Sequence, residues 1–384
     1  MRKVAAFVLL IMAFSFAGRA EEIKKEFTVK PGQKLDMDLQ CGGKIIITGW
    51  DQDKVSVTAE LRGRDGRDGR VDMEEVSTGI SITCDYERRR RNSSSDNEFR
   101  INVPKKFDLD LSTAGGRISV DGVEGTLDGT TMGGELDLTN LGGTITFKTM
   151  GGGVTLTKSN VDGEVSTMGG KVLLRDVVGN VSGHSMGGAV TYDNVTDRKG
   201  KSSGKEVVIS TMGGEINVDQ APYGADVQTM GGDISIHYAE KHVKAKTMGG
   251  NIEIDSVNGG VHAETMGGDV IARMVGDAAD GDRDVYITSK GGEVRLVVPD
   301  ALSMAVDITL AYTRDNDRWR HDEKPRIISD FDLQKDETDK WEHEHGSARK
   351  YIYGKGSIAG GKNKIHIETI NGNVYLKKAS TYHE

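Results

Sequence analysis

Proline and aromatic residues are scarce in this chain, with 5 prolines and 5% Phe, Trp and Tyr among 384 residues. Glycine is not, at 51. Abundant glycine without proline excludes collagen and points to a turn used many times over. Only two cysteines occur, Cys41 and Cys84, which excludes a disulfide-dense scaffold. In an oxidising compartment the pair forms one disulfide; the alternative is two separate buried thiols. An excess of basic residues is also missing. The formal charge of −9 argues against general nucleic-acid binding. There is no Gly-x-Ser-x-Gly elbow, no P-loop and no dinucleotide fingerprint, so no cofactor is implied and the chain reads as a non-enzyme.

Long apolar runs are absent except at the start. Arg2 and Lys3 precede an apolar run at residues 4–16, and Ala17-Gly18-Arg19-Ala20 follows. This is the pattern of a secretory signal peptide cut before Glu21. The run is too short for a comfortable membrane span. The expected destination is the periplasm, the cell surface or the medium, with no transmembrane segment.

What is present is a repeat. Units start at Thr113, Thr131, Thr149, Thr167 and Ser185, each 18 residues after the last, and again at Thr211, Thr229, Thr247 and Thr265. The longer steps, from Ser185 to Thr211 and from Thr265 to Ser289, place loops at 197–204 and 276–284. Most units open Thr-Met-Gly-Gly. Apolar residues recur five and seven positions after the Thr, as in Leu136 and Leu138 or Ile252 and Ile254. A second apolar set follows, as in Leu141, Ile145 and Phe147. Within each set the period is two, which marks short strands. The glycines mark corners, where freedom to adopt positive φ is expected to favour them.

A unit this short cannot bury its own apolar face, but stacking solves that. The expected fold is all-β: a single-chain parallel β-solenoid with 18-residue coils, capped at both ends. The expected organisation is a signal peptide at 1–20, N-terminal coils and cap with Arg-rich loops at 21–112, regular repeats at 113–300, and C-terminal coils at 301–384 with a polar insertion at 314–349.

Several stretches resemble the DUF4097 family of candidate adhesins. They are Phe27-Thr28-Val29 with Pro31-Gly32 and Leu35, Gly43-Lys44-Ile45 with Gly49-Trp50-Asp51, residues 101–104 (INVP), the run of Thr-x-x-Gly-x-Ile units, and Thr369-Ile370-Asn371-Gly372-Asn373-Val374. The resemblance implies an exported, non-catalytic β-solenoid of the cell envelope and supplies no catalytic residues. Met after the Thr departs from that family's small polar residue.

That Met recurs in eight units: Met132, Met150, Met168, Met186, Met212, Met230, Met248 and Met266. The plain reading is a ladder of flexible side chains packed over glycine-rich backbone. The functional readings are an apolar binding stripe and, last, thioether ligation of a soft metal such as Cu(I). The Thr ladder reads as structural, hydrogen-bonding to neighbouring coils. Asp277, Asp280, Asp282 and Asp284 read as a solvated loop rather than a Ca²⁺ site. His343 and His345 with Glu342 and Glu344, and His321 with Asp322 and Glu323, lack zinc spacing. The Arg88–Arg91 run reads as a solvated loop with an anionic surface as the alternative.

The functional expectation is an envelope-associated, adhesin-like or scaffold protein that presents an extended repeat surface. Its partner would be a protein or an envelope glycan or lipid surface, with self-association through end strands as a further route. The alternatives are a polysaccharide-active β-helix enzyme and a self-assembling or regulatory envelope-stress scaffold.

Overall fold

A computed structural model of the chain describes residues 21–30, 32–62, 69–86, 97–196, 206–313, 324–343 and 347–382. The signal-peptide run, the Arg88–Arg91 run, most of both Arg-rich loops, the 197–204 loop and His321, Asp322, Glu323, Glu344 and His345 lie outside them. The described residues form strands and turns and contain no helix. Two compact units divide the chain, 1–165 and 166–384.

In the first unit the strand Glu124–Thr131 pairs in parallel with Asp108–Thr113 on one side and Gly142–Thr149 on the other. Equivalent residues meet in register: Leu109, Leu127 and Ile145 form one inward column. The strand Leu136–Thr139 does the same between Ile118–Asp121 and the start of Val154–Thr167. In the second unit Ile216, Ile234, Ile252, Val270, Val294 and Val374 form a continuous buried column. Ala225, Val243, Val261, Val285 and Ile365 form another opposite it. Both units are therefore parallel β-solenoids. Along most strands buried apolar residues alternate with outward ones that are mainly polar, as a strand buried on one face requires.

The corner explains the repeat signature. The Thr131 hydroxyl donates to the Gly116 carbonyl of the coil before (2.9 Å), and accepts from the Gly134 amide of its own coil (3.2 Å). Thr229, Thr247 and Thr265 repeat both bonds, and Ser185 and Ser289 do so with their own hydroxyls. Each hydroxyl is buried and must both give and take a hydrogen bond. Only Ser and Thr fit that at this size.

The reason for the glycine pair differs from the one read in the sequence. None of these glycines, from Gly133 to Gly292, adopts positive φ. The second of each pair is needed because the coils nearly touch. A Cβ on Gly134 would lie 1.8 Å from the Gly116 carbonyl oxygen, and one on Gly250 would lie 2.0 Å from that of Gly232. The first is free of such contact: a Cβ on Gly249 would meet nothing nearer than 3.5 Å. Positive φ is found farther along several coils, at Asn140, Lys158, Asp176 and Asn194 and, as expected of corner glycines, at Gly143 and Gly179.

Both ends break the rule that chain order is stacking order. In the first unit Lys34–Leu39 lies between Gly79–Tyr86 and Asp108–Thr113, so the earliest coil is spliced beneath the regular ones. Cys41 of that coil is disulfide-bonded to Cys84 of the outer one. In the second unit Asn363–Ile370 lies between Val285–Ser289 and Met304–Thr313. The segment read as a polar insertion is more than that: Ile327–Ser329 pairs with Val374–Lys378, Gln334–Glu337 pairs with Arg349–Ile358, and Ile327, Phe331 and Leu333 are buried. The 276–284 loop is likewise anchored. Arg283 is fully buried, and its guanidinium donates to the Asp280 and Val275 carbonyls and to Asn258 Oδ1.

Candidate functional site: a methionine ribbon and an imidazole-tyrosine shelf

The Met that follows each corner Thr faces outward, while the Thr itself is buried. Its backbone is held in the stack. Met150 N–H donates to Thr131 O in the first unit; Met212 N–H donates to Met186 O (2.9 Å) and Met230 N–H to Met212 O (3.2 Å) in the second. Met212 stacks on Met186 although 26 residues separate them. The insertion therefore leaves the ladder intact. All eight residues are 46–57% exposed, so none belongs to the packed core. Met132 and Met150 stand on the first unit, and the other six form a run on the second.

A second feature escapes sequence reading. On the outer face of the second unit, Asp226, Lys244, His262, Tyr286 and His366 occupy one column of register partners. The His262 and Tyr286 rings lie 4.8 Å apart, and the Tyr286 and His366 rings stack at 5.2 Å with 13° between planes. In the adjacent column, Gly260 stands between His242 and Asp284 and supplies no side chain. The result is an open depression of about 430 Å³, lined by His242, Lys244, His262, Asp284, Tyr286 and His366 among others. Tyr286 and His366 cover one another's faces, whereas His262 is tilted by 49° to Tyr286. His262 Nε2 pairs with Glu264 (2.5 Å), His366 Nε2 with Glu368 (3.0 Å) and His242 Nε2 with Glu206 (2.9 Å). The His262 hydrogen bond, with Lys246 beside it, holds the Glu264 carboxyl below its ordinary range against the opposing effect of burial. Lys244 and His262 are one repeat apart and could have been aligned from sequence. Tyr286 and His366 lie beyond inserted segments, but each stands three residues before its own corner, Ser289 or Thr369, as His262 does before Thr265.

Most of the loop carboxylates read from the sequence are engaged by backbone amides. Asp277 Oδ1 accepts from Ala279 N–H, Asp282 Oδ1 from Asp284 N–H, and Asp284 Oδ1 from Lys364 N–H. The first two are spent on turns and the third on the backbone of a neighbouring strand. Among the described residues no group of three or more His, Cys, Asp or Glu could hold a metal ion. No helix among them is long and apolar enough to cross a membrane.

Short parallel coils, stacked in register around an aliphatic core, define the class: a β-solenoid. Within it the chain belongs to the Toastrack DUF4097 family, whose model matches residues 33–326. No curated protein matches the chain. Among solved structures it is similar to a candidate cell adhesion protein from Clostridium sporogenes ATCC 15579, at 11% identity over 94% of this chain and 100% of the other, with a TM-score of 0.20. It is also similar to a candidate adhesin and a candidate lipid binding protein, both from Parabacteroides distasonis ATCC 8503. Identity is 12% to each, over 70% and 71% of this chain and 98% and 97% of theirs, with a TM-score of 0.33 for both. Identities and scores this low carry no functional argument.

Proposed function

We propose that this protein is a non-enzymatic binding protein of the cell envelope, exported by its N-terminal segment and using the long sides of its coils as a contact surface. The methionine ribbon carries this reading. Soluble proteins rarely keep a continuous apolar feature in water without a use for it, and here the same half-exposed side chain returns on coil after coil. Two observations support export. The chain opens with a charged start, an apolar run and a small-residue cut site. Its two cysteines form a disulfide, which persists in oxidising compartments.

The test is expression of the full chain in a bacterial host, followed by fractionation and co-sedimentation with isolated envelopes. The expected product begins at Glu21, leaves the cytoplasm and sediments with envelopes. A variant with Met→Gln at the six ribbon positions of the second unit should sediment less. An uncut cytoplasmic chain, or sedimentation indifferent to the ribbon, contradicts the proposal.

A further inference from the structure

We propose that the methionine ribbon binds soft monovalent cations, Cu(I) or Ag(I), each held between thioether sulfurs of neighbouring coils. This goes beyond the envelope reading and does not depend on it, since it requires neither export nor a macromolecular partner.

The first observation is which positions vary within the chain. Five residues after the corner Thr, where only apolar bulk is needed, the eight ribbon units carry Leu136, Val154, Val172, Val190, Ile216, Ile234, Ile252 and Val270. The corner hydroxyl itself is Ser once among them, at Ser185. The position after it is Met in eight of the nine units from Thr131 to Ser289, Lys290 being the exception, while Ala114 and Ile370 stand there on the flanking coils. Of the aliphatic residues common later in the unit, only Ile370 appears there. What Met alone supplies is sulfur: a soft, polarisable donor on an unbranched chain. Thioethers select Cu(I) among the biological metals.

The second observation is spacing. Consecutive coils in a parallel stack lie about 4.8 Å apart. Two sulfurs placed either side of one ion, at the bond length of about 2.3 Å found for metal–sulfur contacts, would be about 4.6 Å apart. Neighbouring Met residues therefore meet a bridging ion with little adjustment, and the three torsions of each half-exposed side chain provide it. The coil backbone beneath does not have to move, because the Thr hydroxyls and the Met amides already lock it.

The third observation is charge. The chain is −9 overall, and Glu215, Asp233 and Asp269 each follow a ribbon Met by three residues. Their sign favours a cation. Their carboxylate oxygens are partly spent on the backbone, Asp233 on Asn251 N–H and Asp269 on Glu293 N–H. They therefore attract the ion rather than ligate it. Thioethers carry no proton to lose, so binding should survive acid that protonates histidine and displaces metal from it.

The experiment loads the mature chain with silver nitrate in chloride-free buffer at pH 5, desalts it and measures silver per chain by mass spectrometry. Silver is the probe because it is soft, monovalent and stable in air. Two variants separate pairing from simple sulfur content. One replaces Met150, Met186, Met230 and Met266 by Leu, which leaves no two adjacent ribbon Met residues within either unit. The other replaces Met212, Met230, Met248 and Met266 by Leu, which removes the same number but keeps adjacent pairs. Leu is close in volume and keeps the ribbon apolar. The expected result is that the wild type retains several silver ions, the block variant about half as many and the alternating variant almost none. Absence of retained silver in the wild type overturns the proposal, as does equal retention by the two variants. Should a variant fold poorly, methyl-labelled Met in the wild type gives the same answer. Ribbon signals should shift with silver while buried Met37, Met274 and Met304 stay fixed, and a shift confined to other residues contradicts the proposal.

Discussion

The regular coils and the two spliced ends are held by different forces. In the regular coils every contact is to the next coil, 18 residues away or slightly more, and the same corner bond is made each time. At the ends a terminal coil is threaded between segments far from it in the chain: Leu39 pairs with both Cys84 and Thr113, and Ile367 with both Ile287 and Ile308. Such contacts must bear loop-closure entropy before they contribute anything. Each end accordingly carries a fastening that the regular coils do not. The N-terminal splice has the Cys41–Cys84 disulfide. The C-terminal one has polar clamps: Asn363 donates to Ser303 O while accepting from Arg283 N–H, and Asp330 grips Lys377, Lys378 and Thr381. Periodic structure stabilises itself locally, whereas closure needs dedicated bonds.

Four perturbations should separate these forces. The largest effect is expected at the N-terminal splice. The disulfide spans 43 residues, and closing a loop of that length contributes about 4 kcal/mol in the chain-entropy picture. Cys84→Ser should expose Lys34–Leu39 and Gly79–Tyr86 to hydrogen exchange while coils beyond Thr131 keep their protection. Next is the corner. Gly250→Ala pushes a methyl into the Gly232 carbonyl and should cost about 3 kcal/mol. Gly249→Ala, one residue earlier, should be nearly neutral by thermal melting. Equal effects of the two would break the close-packing account of the glycine pair. Thr247→Val leaves the Gly232 carbonyl and the Gly250 amide without their shared partner and should cost about 1–3 kcal/mol. Thr247→Ser should restore most of it.

The smallest effect is expected in acid, at the C-terminal splice. Burial works against ionisation of Asp330, but Lys377, the Thr381 hydroxyl and the Lys378 amide outweigh it and lower its pKa from 3.8 to about 2. A carboxylate whose folded pKa is depressed adds stability above its unfolded pKa, and that stability is lost as pH falls through the folded one. Hydrogen exchange at Ile327–Ser329 should therefore quicken between about pH 4 and pH 2. Asp330→Asn should remove this dependence, leaving the region equally loose at pH 5 and pH 3.

The middle of the molecule was legible in sequence because its physics is local and repeated. The apolar columns, the parallel register and the corner positions all follow from counting in steps of 18. The role of the second glycine was not legible. A carbonyl 2.0 Å from an absent Cβ belongs to another coil, and composition suggests only conformational freedom. The splices were hidden for a related reason. Residues 364–369 and 373–377 are patterned as strands, but nothing in that pattern says that Asn363–Ile370 enters between Val285–Ser289 and Met304–Thr313. The column of the shelf can be counted from the corners Thr265, Ser289 and Thr369, but that the rings meet across coils cannot. The half-exposure of the methionines was not legible either, because a corner can reset the alternation that sends a side chain in or out.

The ribbon's standing in solvent is the claim on which the functional reading rests, and limited oxidation tests it most directly. Brief treatment of the folded chain with hydrogen peroxide, followed by peptide mass spectrometry, reports sulfoxide formation at each Met. Met132, Met150, Met168, Met186, Met212, Met230, Met248 and Met266 should oxidise together and well before Met37, Met274 and Met304, which are at most 1% exposed. Ribbon methionines as resistant as those three would contradict the account.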